Sequence, residues 1–149
     1  MKTHLKNMTL TGFVPRVIVL AGISLACFAF ALPQDEPEGP WRAPVSADKM
    51  ICPLKADASN LADAKILYKN NCEQCHGVKG DGYGWQSQNV AKKIAPISAP
   101  EIQKQTDGAI FWKITQGNKP MPGMKKALTE DQRWKLVLYV RELGKTQLK

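Results

Sequence analysis

The feature that most constrains this chain is the segment NNCEQCHGVKGDGYG, residues 70–84, in which Cys72, Cys75 and His76 form a C-x-x-C-H motif. Two thiols at this spacing lie on one turn of a helix, and the histidine adds an imidazole beside them. Three kinds of site use such residues: a redox dithiol, a zinc site and a point of covalent haem attachment. Each kind requires different surroundings in the rest of the chain.

The surroundings of the motif favour haem attachment. A redox dithiol of the thioredoxin kind begins a helix that follows a β-strand, whereas this motif follows a predicted helix without a strand pattern near it. Tetrahedral zinc needs four ligands, and Cys52 is the only further thiol once residues 1–31 are removed. In haem attachment, the two thiols form thioethers with the vinyl groups and His76 supplies the imidazole for the iron.

The second axial ligand of the iron is predicted to be a methionine. His4 lies in the N-terminal segment, so His76 is the only histidine that remains after export. Met121 lies between two prolines, which are expected to hold its loop extended and stiff and so to present a soft thioether. Met124 is the alternative ligand; if it does not bind the iron, it is expected to make a packing contact.

The first 31 residues have the features of an export signal. A basic start precedes an uncharged run at 17–32, and the Ala-Phe-Ala sequence at 29–31 matches the small-x-small pattern of signal peptidase. The run is shorter than the ~20 residues of a comfortable membrane span, but short uncleaved anchors overlap with signals in length. Lipidation at Cys27 is a third interpretation. We therefore expect a periplasmic protein, either soluble or tethered to the inner membrane by its uncleaved N-terminus.

The rest of the chain divides into a linker and a folded module. Residues 32–58 are rich in proline and acidic side chains, which predicts an extended linker or a strap over the module, with Cys52 packed as an inert thiol. Residues 59–149 are the predicted module. Removal of residues 1–31 leaves 18 basic and 13 acidic residues, a net charge of about +5. This excess, without an aromatic and basic stripe, favours an acidic protein partner over nucleic acid.

Helical periodicity predicts that the module is all-α. A first helix is expected at 59–71 with Ser59 as its N-cap, because apolar residues recur there at helical spacing. A short helix is expected at 108–116, with Asp107 as its cap.

The last helix is predicted to begin with a capping box of Thr129 and Gln132 and to end at Gly144. Between the first and the short helix, the four glycines at 77–84 let the backbone pass close to a flat cofactor. The predicted fold is therefore a set of helices packed around a buried group.

Three segments within residues 59–146 together resemble the class I, mono-haem c-type cytochromes of bacteria: LYKNNCEQCHGVKGDGYG, GAIFWKITQGNKPMP and LTEDQRWKLVLYVREL. The resemblance is to exported members of that family. It implies the cytochrome c-like fold, with three to four helices packed around one covalently attached haem. It also implies that the first helix crosses the last one at Ala64 and Tyr68.

The resemblance further implies electron transfer in a respiratory chain, with no catalytic residue and no small-molecule substrate. Lys79, Lys119, Lys125 and Lys126 are expected near the exposed haem edge, where they either steer docking to an acidic patch of a redox partner or form a solvated basic face. Two alternatives remain open. One is a haem c subunit of a larger membrane oxidoreductase complex, and the other is a five-coordinate, gas-binding haem protein with Met121 off the iron.

Overall fold

In a computed structural model of the chain, residues 40–146 are described. The α-helices among them are α1 (Ala58–Asn71), α2 (Glu73–His76), α3 (Pro100–Gln103), α4 (Asp107–Gln116) and α5 (Glu130–Thr146), with 3₁₀ turns at Ala47–Lys49 and Ser87–Asn89. This part of the chain contains no β-strand, which confirms the all-α prediction. The five helices exceed the predicted three to four because α2 and α3 are single turns.

The predicted signal or anchor at 1–31 and the last three residues, 147–149, lie outside the described residues. The predicted linker at 32–58 is described from residue 40 onward. No helix within 40–146 is both long enough and apolar enough to cross a membrane.

Two of the predicted helix caps are wrong. α1 is capped by Asp57, whose carboxylate accepts a hydrogen bond from the backbone N–H three residues on at 2.8 Å, and Ser59 lies inside the helix. α4 is capped by Thr106, whose hydroxyl accepts from the N–H three residues on at 3.0 Å, so Asp107 is the first helical residue. In both cases the true cap is the residue with extended backbone geometry, which a cap requires.

The capping box of α5 is confirmed, but its predicted end is wrong. The Thr129 N–H donates to the Gln132 side chain at 2.9 Å, and the Gln132 N–H donates to the Thr129 hydroxyl at 3.2 Å. At the other end, α5 continues past Gly144 to Thr146. Gly144 is buried, and a Cβ there would overlap the side chain of Gln103, so this glycine permits close packing rather than ending the helix.

The core lies where α1 and α4 pack against α5. Ala64 and Tyr68 of α1 are 0% and 1% exposed, and the Tyr68 ring lies 4.9 Å from that of Tyr139, as the predicted helix crossing requires. Phe111 of α4 stacks on Trp134 of α5 at 4.0 Å and an interplanar angle of 15°. The crossing holds the C-terminal end of α1 in place, and the C-x-x-C-H motif begins there.

Residues 40–57 contact α4 and its N-cap. The Trp41 and Trp112 rings are 6.4 Å apart, and the Thr106 hydroxyl donates to the Asp48 carboxylate at 2.7 Å. Cys52 is half-buried against the edge of the core, and burial raises the pKa of its thiol. A protonated, partly buried thiol is unreactive, which agrees with the packing role expected for it.

Candidate haem-binding site

The C-x-x-C-H motif forms a single helical turn. α1 ends at Asn71, and the backbone N–H groups of Cys75 and His76 both donate to the Cys72 carbonyl, at 3.1 and 2.9 Å. The turn ends at Gly77, whose φ of +77° is accessible to glycine without strain. Two thiols and one imidazole therefore project from five consecutive residues, as the motif predicts.

The thiols lack the chemistry of a redox dithiol. Cys72 and Cys75 are both free in the structure. Burial, assisted by the neighbouring charge of Cys75, raises the pKa of Cys72 to about 12. A redox-active cysteine needs a lowered pKa, because the thiolate is the nucleophile. The site also follows a helix rather than a strand, so the thioredoxin alternative finds no support.

The residues of the turn fit haem iron better than zinc. His76 is half-buried, and the partial loss of solvent lowers the pKa of its imidazole and favours the neutral form that binds metals. Its Nδ1 is buried and makes no hydrogen bond of normal geometry. The nearby Ala95 carbonyl raises the pKa of the imidazole, but by less than burial lowers it. Within residues 40–146, no group of three or more His, Cys, Asp or Glu side chains is placed to hold a metal ion.

The glycine-rich segment packs its backbone directly on the motif. The N–H groups of Gly82 and Gly84 donate to the His76 and Cys75 carbonyls at 2.9 and 3.3 Å. A Cβ at Gly84 would overlap the Gln74 carbonyl, so only glycine permits this approach. Neighbouring Tyr83 and Trp85 project outward and are 78% and 72% exposed. The segment thus fixes the backbone of the motif from the outside.

The loop of Met121 is turned rather than extended, which corrects the prediction. Asn118 and Met121 exchange two backbone hydrogen bonds of 3.0 and 2.8 Å, and the Lys119–Pro120 peptide bond between them is cis. A cis proline at this position makes a tight turn. The prolines restrict the loop as expected, but the restriction produces a bend.

The two candidate methionines differ in their surroundings. Met124 packs against the hydrophobic core, and its N–H donates to the Ile114 carbonyl at 2.9 Å. Met121 is half-buried and lies outside the core formed by the described residues. Met124 thus contacts the core, whereas Met121 does not belong to it.

Two groups that support the site could not be recognised in the sequence. The Tyr68 hydroxyl donates to the Gly77 carbonyl at 2.6 Å, and the Ala95 carbonyl faces His76. Tyr68 was predicted to lie at the helix crossing, but nothing in the sequence indicated that its hydroxyl contacts Gly77. Ala95 acts through its backbone, for which no side-chain signal exists.

A family model described as cytochrome c oxidase, cbb3-type, subunit III, matches residues 59–140, more than half of the chain. The chain belongs to this family of c-type cytochromes. Its cofactor is therefore covalently bound haem c, and the free cysteines of the C-x-x-C-H turn are the residue type that this attachment requires.

The cytochrome is similar to proteins from several sources. Cytochrome c6 of Synechocystis sp. is 29% identical over 83 residues, which are 56% of this chain and 65% of that protein. A chain of the reducing HAO-like protein complex of Kuenenia stuttgartiensis is 27% identical, with 61% of this chain and 46% of that chain covered and a TM-score of 0.56. A solved c-type cytochrome is 29% identical over 54% of this chain and 96% of its own length, with a TM-score of 0.48.

The matched region thus spans just under two thirds of cytochrome c6 and about half of the chain from the complex. The likeness covers the helical module and the C-x-x-C-H turn, within residues 59–140 of the family match.

Proposed function

We propose that this cytochrome is a one-electron carrier in which Cys72 and Cys75 bind haem c through thioethers, while His76 and Met121 ligate its iron. The observation that carries the proposal is the C-x-x-C-H turn, where two free thiols adjoin an imidazole whose buried Nδ1 lacks a full hydrogen bond. Bound haem c supplies a reversible one-electron couple of iron. The protein contributes the ligands, their orientation and the exclusion of water.

Each ligand would be positioned by the chain itself. The backbone of His76 is fixed by the Cys72 carbonyl on one side and by the Gly82 N–H on the other. The hydroxyl of Tyr68 fixes the next residue, Gly77. A ligand held in this way needs little reorganisation when the iron changes its charge, which favours rapid electron transfer.

The surroundings of the methionines support Met121 over Met124 as the second axial ligand. Met124 is engaged in packing against the core, whereas the thioether of Met121 is carried by a turned loop outside that core. A thioether ligand in a site of low polarity favours ferrous iron and raises the reduction potential. With His76 and Met121 both bound to it, the iron would offer no site to a substrate, and we assign no catalytic residue.

We further propose that the carrier works in the periplasm, soluble or tethered through residues 1–31, and serves a respiratory chain. The basis is the predicted export signal. Its redox partners would present an acidic patch to exposed lysines of the loops around the site, since the exported chain has a net charge of about +5.

Optical spectroscopy of Met121→Ala and Met124→Ala tests the ligation. The oxidised wild type is expected to show the weak far-red band of sulfur-to-iron charge transfer, which Met121→Ala abolishes and Met124→Ala keeps. Loss of the band only in Met124→Ala would transfer the role to Met124. A wild type without the band, whose reduced form binds carbon monoxide, would instead indicate the five-coordinate, gas-binding alternative.

A second candidate function is a haem c subunit of a membrane oxidoreductase complex. It is favoured by the matching family, which is described as an oxidase subunit, and by the similarity to a chain of a multi-protein complex. Extraction from bacterial membranes discriminates between the two. Release by osmotic shock without detergent indicates a free carrier, whereas detergent-dependent extraction and co-purification with other haem proteins indicate a subunit.

A further inference from the structure

Arg133 of α5 is a charged side chain inside the fold. The residue is 8% exposed, and no carboxylate within residues 40–146 forms an ion pair with it. Its Nη1 donates to the Thr115 hydroxyl at 2.6 Å, its Nε donates to the Thr129 carbonyl at 3.3 Å, and the guanidinium lies 4.9 Å from the centroid of the Phe111 ring. Burial of a charge is costly, so these contacts determine where the guanidinium can lie.

Thr115 transmits this contact to the backbone of α4. Its hydroxyl donates to the Phe111 carbonyl at 2.7 Å, which leaves the oxygen lone pairs to accept from Arg133. The charged donor makes this a strong hydrogen bond that fixes the Thr115 side chain. The last turn of α4 is thereby held by a residue of α5.

The last turn of α4 in turn supports the segment that follows it, residues 117–125, which we call the methionine loop. The Thr115 carbonyl accepts the Lys125 N–H at 3.3 Å, and the Ile114 carbonyl accepts the Met124 N–H at 2.9 Å. Gly123 sits so close to the Gln116 carbonyl that a Cβ would overlap it. The C-terminal end of the methionine loop is therefore tied back to the residues that Arg133 holds.

We propose that Arg133 is a positioning residue for the axial thioether: it keeps the end of α4, and through it the methionine loop, in the geometry that holds Met121 on the iron. This inference rests on the proposed His76 and Met121 ligation. Arg133 acts through Thr115 and does not itself touch the iron ligand.

Arg141 provides a matched control on the same helix. It also contacts α4 and the residues before it. Its guanidinium forms an ion pair with Asp107 at 2.7 Å and donates to the Gln103 carbonyl at 2.7 Å. These contacts lie at the N-terminal end of α4, away from the methionine loop. Loss of Arg141 should destabilise the fold without a specific effect on the thioether.

The experiment compares holoproteins of Arg133→Met, Arg133→Lys, Thr115→Val and Arg141→Met. As the pH is raised, the far-red band of Arg133→Met is expected to disappear at a lower pH than the band of wild type. Carbon monoxide should bind the ferrous variant roughly tenfold or more faster, which is the factor that loss of one charge-assisted hydrogen bond supports. Thr115→Val should change both measurements in the same direction. Arg133→Lys should show a smaller change, because it keeps the charge, and Arg141→Met should behave as wild type in both measurements.

The double variant Arg133→Met with Thr115→Val tests the route of the effect. If Arg133 acts through Thr115, the double variant resembles Arg133→Met alone, because both changes remove the same contact. If Arg133→Met yields no holoprotein, the comparison of Thr115→Val with Thr115→Ser, which keeps the hydroxyl, decides the question.

Equal band stability and carbon monoxide binding in the Arg133, Thr115 and Arg141 variants would overturn the proposal while the ligation stands. A wild type that itself lacks the far-red band would instead overturn the ligation on which the proposal rests. The two failures are therefore distinguishable in the same set of spectra.

Discussion

Tyr68 links the helix crossing to the haem turn through one hydroxyl. It is 1% exposed, its ring packs on Tyr139, and its hydroxyl donates to the Gly77 carbonyl at 2.6 Å. Burial raises the pKa of the phenol, since a phenolate would be poorly solvated there. The residue therefore contributes both apolar contact and a hydrogen bond that depends on its neutral form.

Tyr68→Phe is expected to destabilise the protein by about 1–2 kcal/mol, because the buried Gly77 carbonyl loses the hydrogen bond that the Tyr68 hydroxyl donates. Denaturation of the holoprotein with guanidinium measures this loss. Tyr139→Phe is the matched control, since the Tyr139 hydroxyl makes no hydrogen bond within residues 40–146. Equal stability of the two variants would show that the Tyr68 hydroxyl contributes nothing.

The same residue predicts a dependence on pH. The folded pKa of Tyr68 lies above the value of about 10 for an exposed tyrosine, so ionisation at high pH favours the unfolded chain. The stability advantage of wild type over Tyr68→Phe is expected to be constant below about pH 10 and to shrink as the pH rises above it. An advantage that grows with pH in this range would contradict the assignment.

At the scale of elements, the contact of residues 40–57, which we call the strap, with α4 depends on a glycine of that helix. Gly108 lies against the Ala47 carbonyl, which a Cβ would overlap, and the Met50 carbonyl is 2.8 Å from the same position. Both obstacles are backbone atoms, which cannot move without displacing the strap.

Gly108→Ala is expected to release the strap, although alanine is the better helix former. Limited proteolysis with trypsin should cleave after Lys49 and Lys55 roughly tenfold faster than in wild type, because local opening exposes the backbone there. Gly144→Ala is the control, since the atoms nearest its Cβ belong to the side chain of Gln103 and not to the strap. Similar cleavage rates in wild type and both variants would show that the strap does not need this contact.

The elements themselves were largely predictable from the sequence, but their ends were not. Apolar spacing located α1, α4 and α5 because each buries one face in the core. The α1 cap was misassigned because Asp57 and Ser59 are both good caps, and only the backbone conformation decides between them. Gly144 was predicted to end α5, whereas the helix continues past it and the side chain of Gln103 occupies the space that a Cβ would need.

The attachment turn was predictable because its three residues lie within five consecutive positions and their chemistry is specific. Its support was not, because the hydroxyl of Tyr68 contacts the Gly77 carbonyl 9 residues away and Arg133 contacts the Thr115 hydroxyl 18 residues away. Such contacts depend on how α1 and α4 pack on α5, and no local pattern encodes them. The bend of the methionine loop was missed because flanking prolines restrict the backbone without fixing its direction.

At the scale of the whole molecule, charge is expected to govern encounter with the redox partner. The four lysines that sequence analysis assigned to docking are exposed in the structure: Lys79, Lys119, Lys125 and Lys126. Their replacement by glutamine should lower the rate of electron transfer with an acidic redox protein at low salt, and should flatten the dependence of that rate on ionic strength.

A control with the same change in net charge separates local docking from a general charge effect. It replaces four other exposed lysines: Lys55, Lys65, Lys69 and Lys104. The control is expected to keep most of the salt dependence of wild type. Equal flattening in both variants would indicate a solvated basic face without a docking role.

We propose that one haem c, bound on both sides by His76 and Met121, exchanges single electrons. A spectroelectrochemical titration of the protein, produced in an exporting host with haem-attachment machinery, tests it most directly. The account predicts a single, reversible one-electron transition between two six-coordinate spectra, neither of which changes under carbon monoxide. A ferrous spectrum that shifts under carbon monoxide, or a protein without covalent haem, would contradict it.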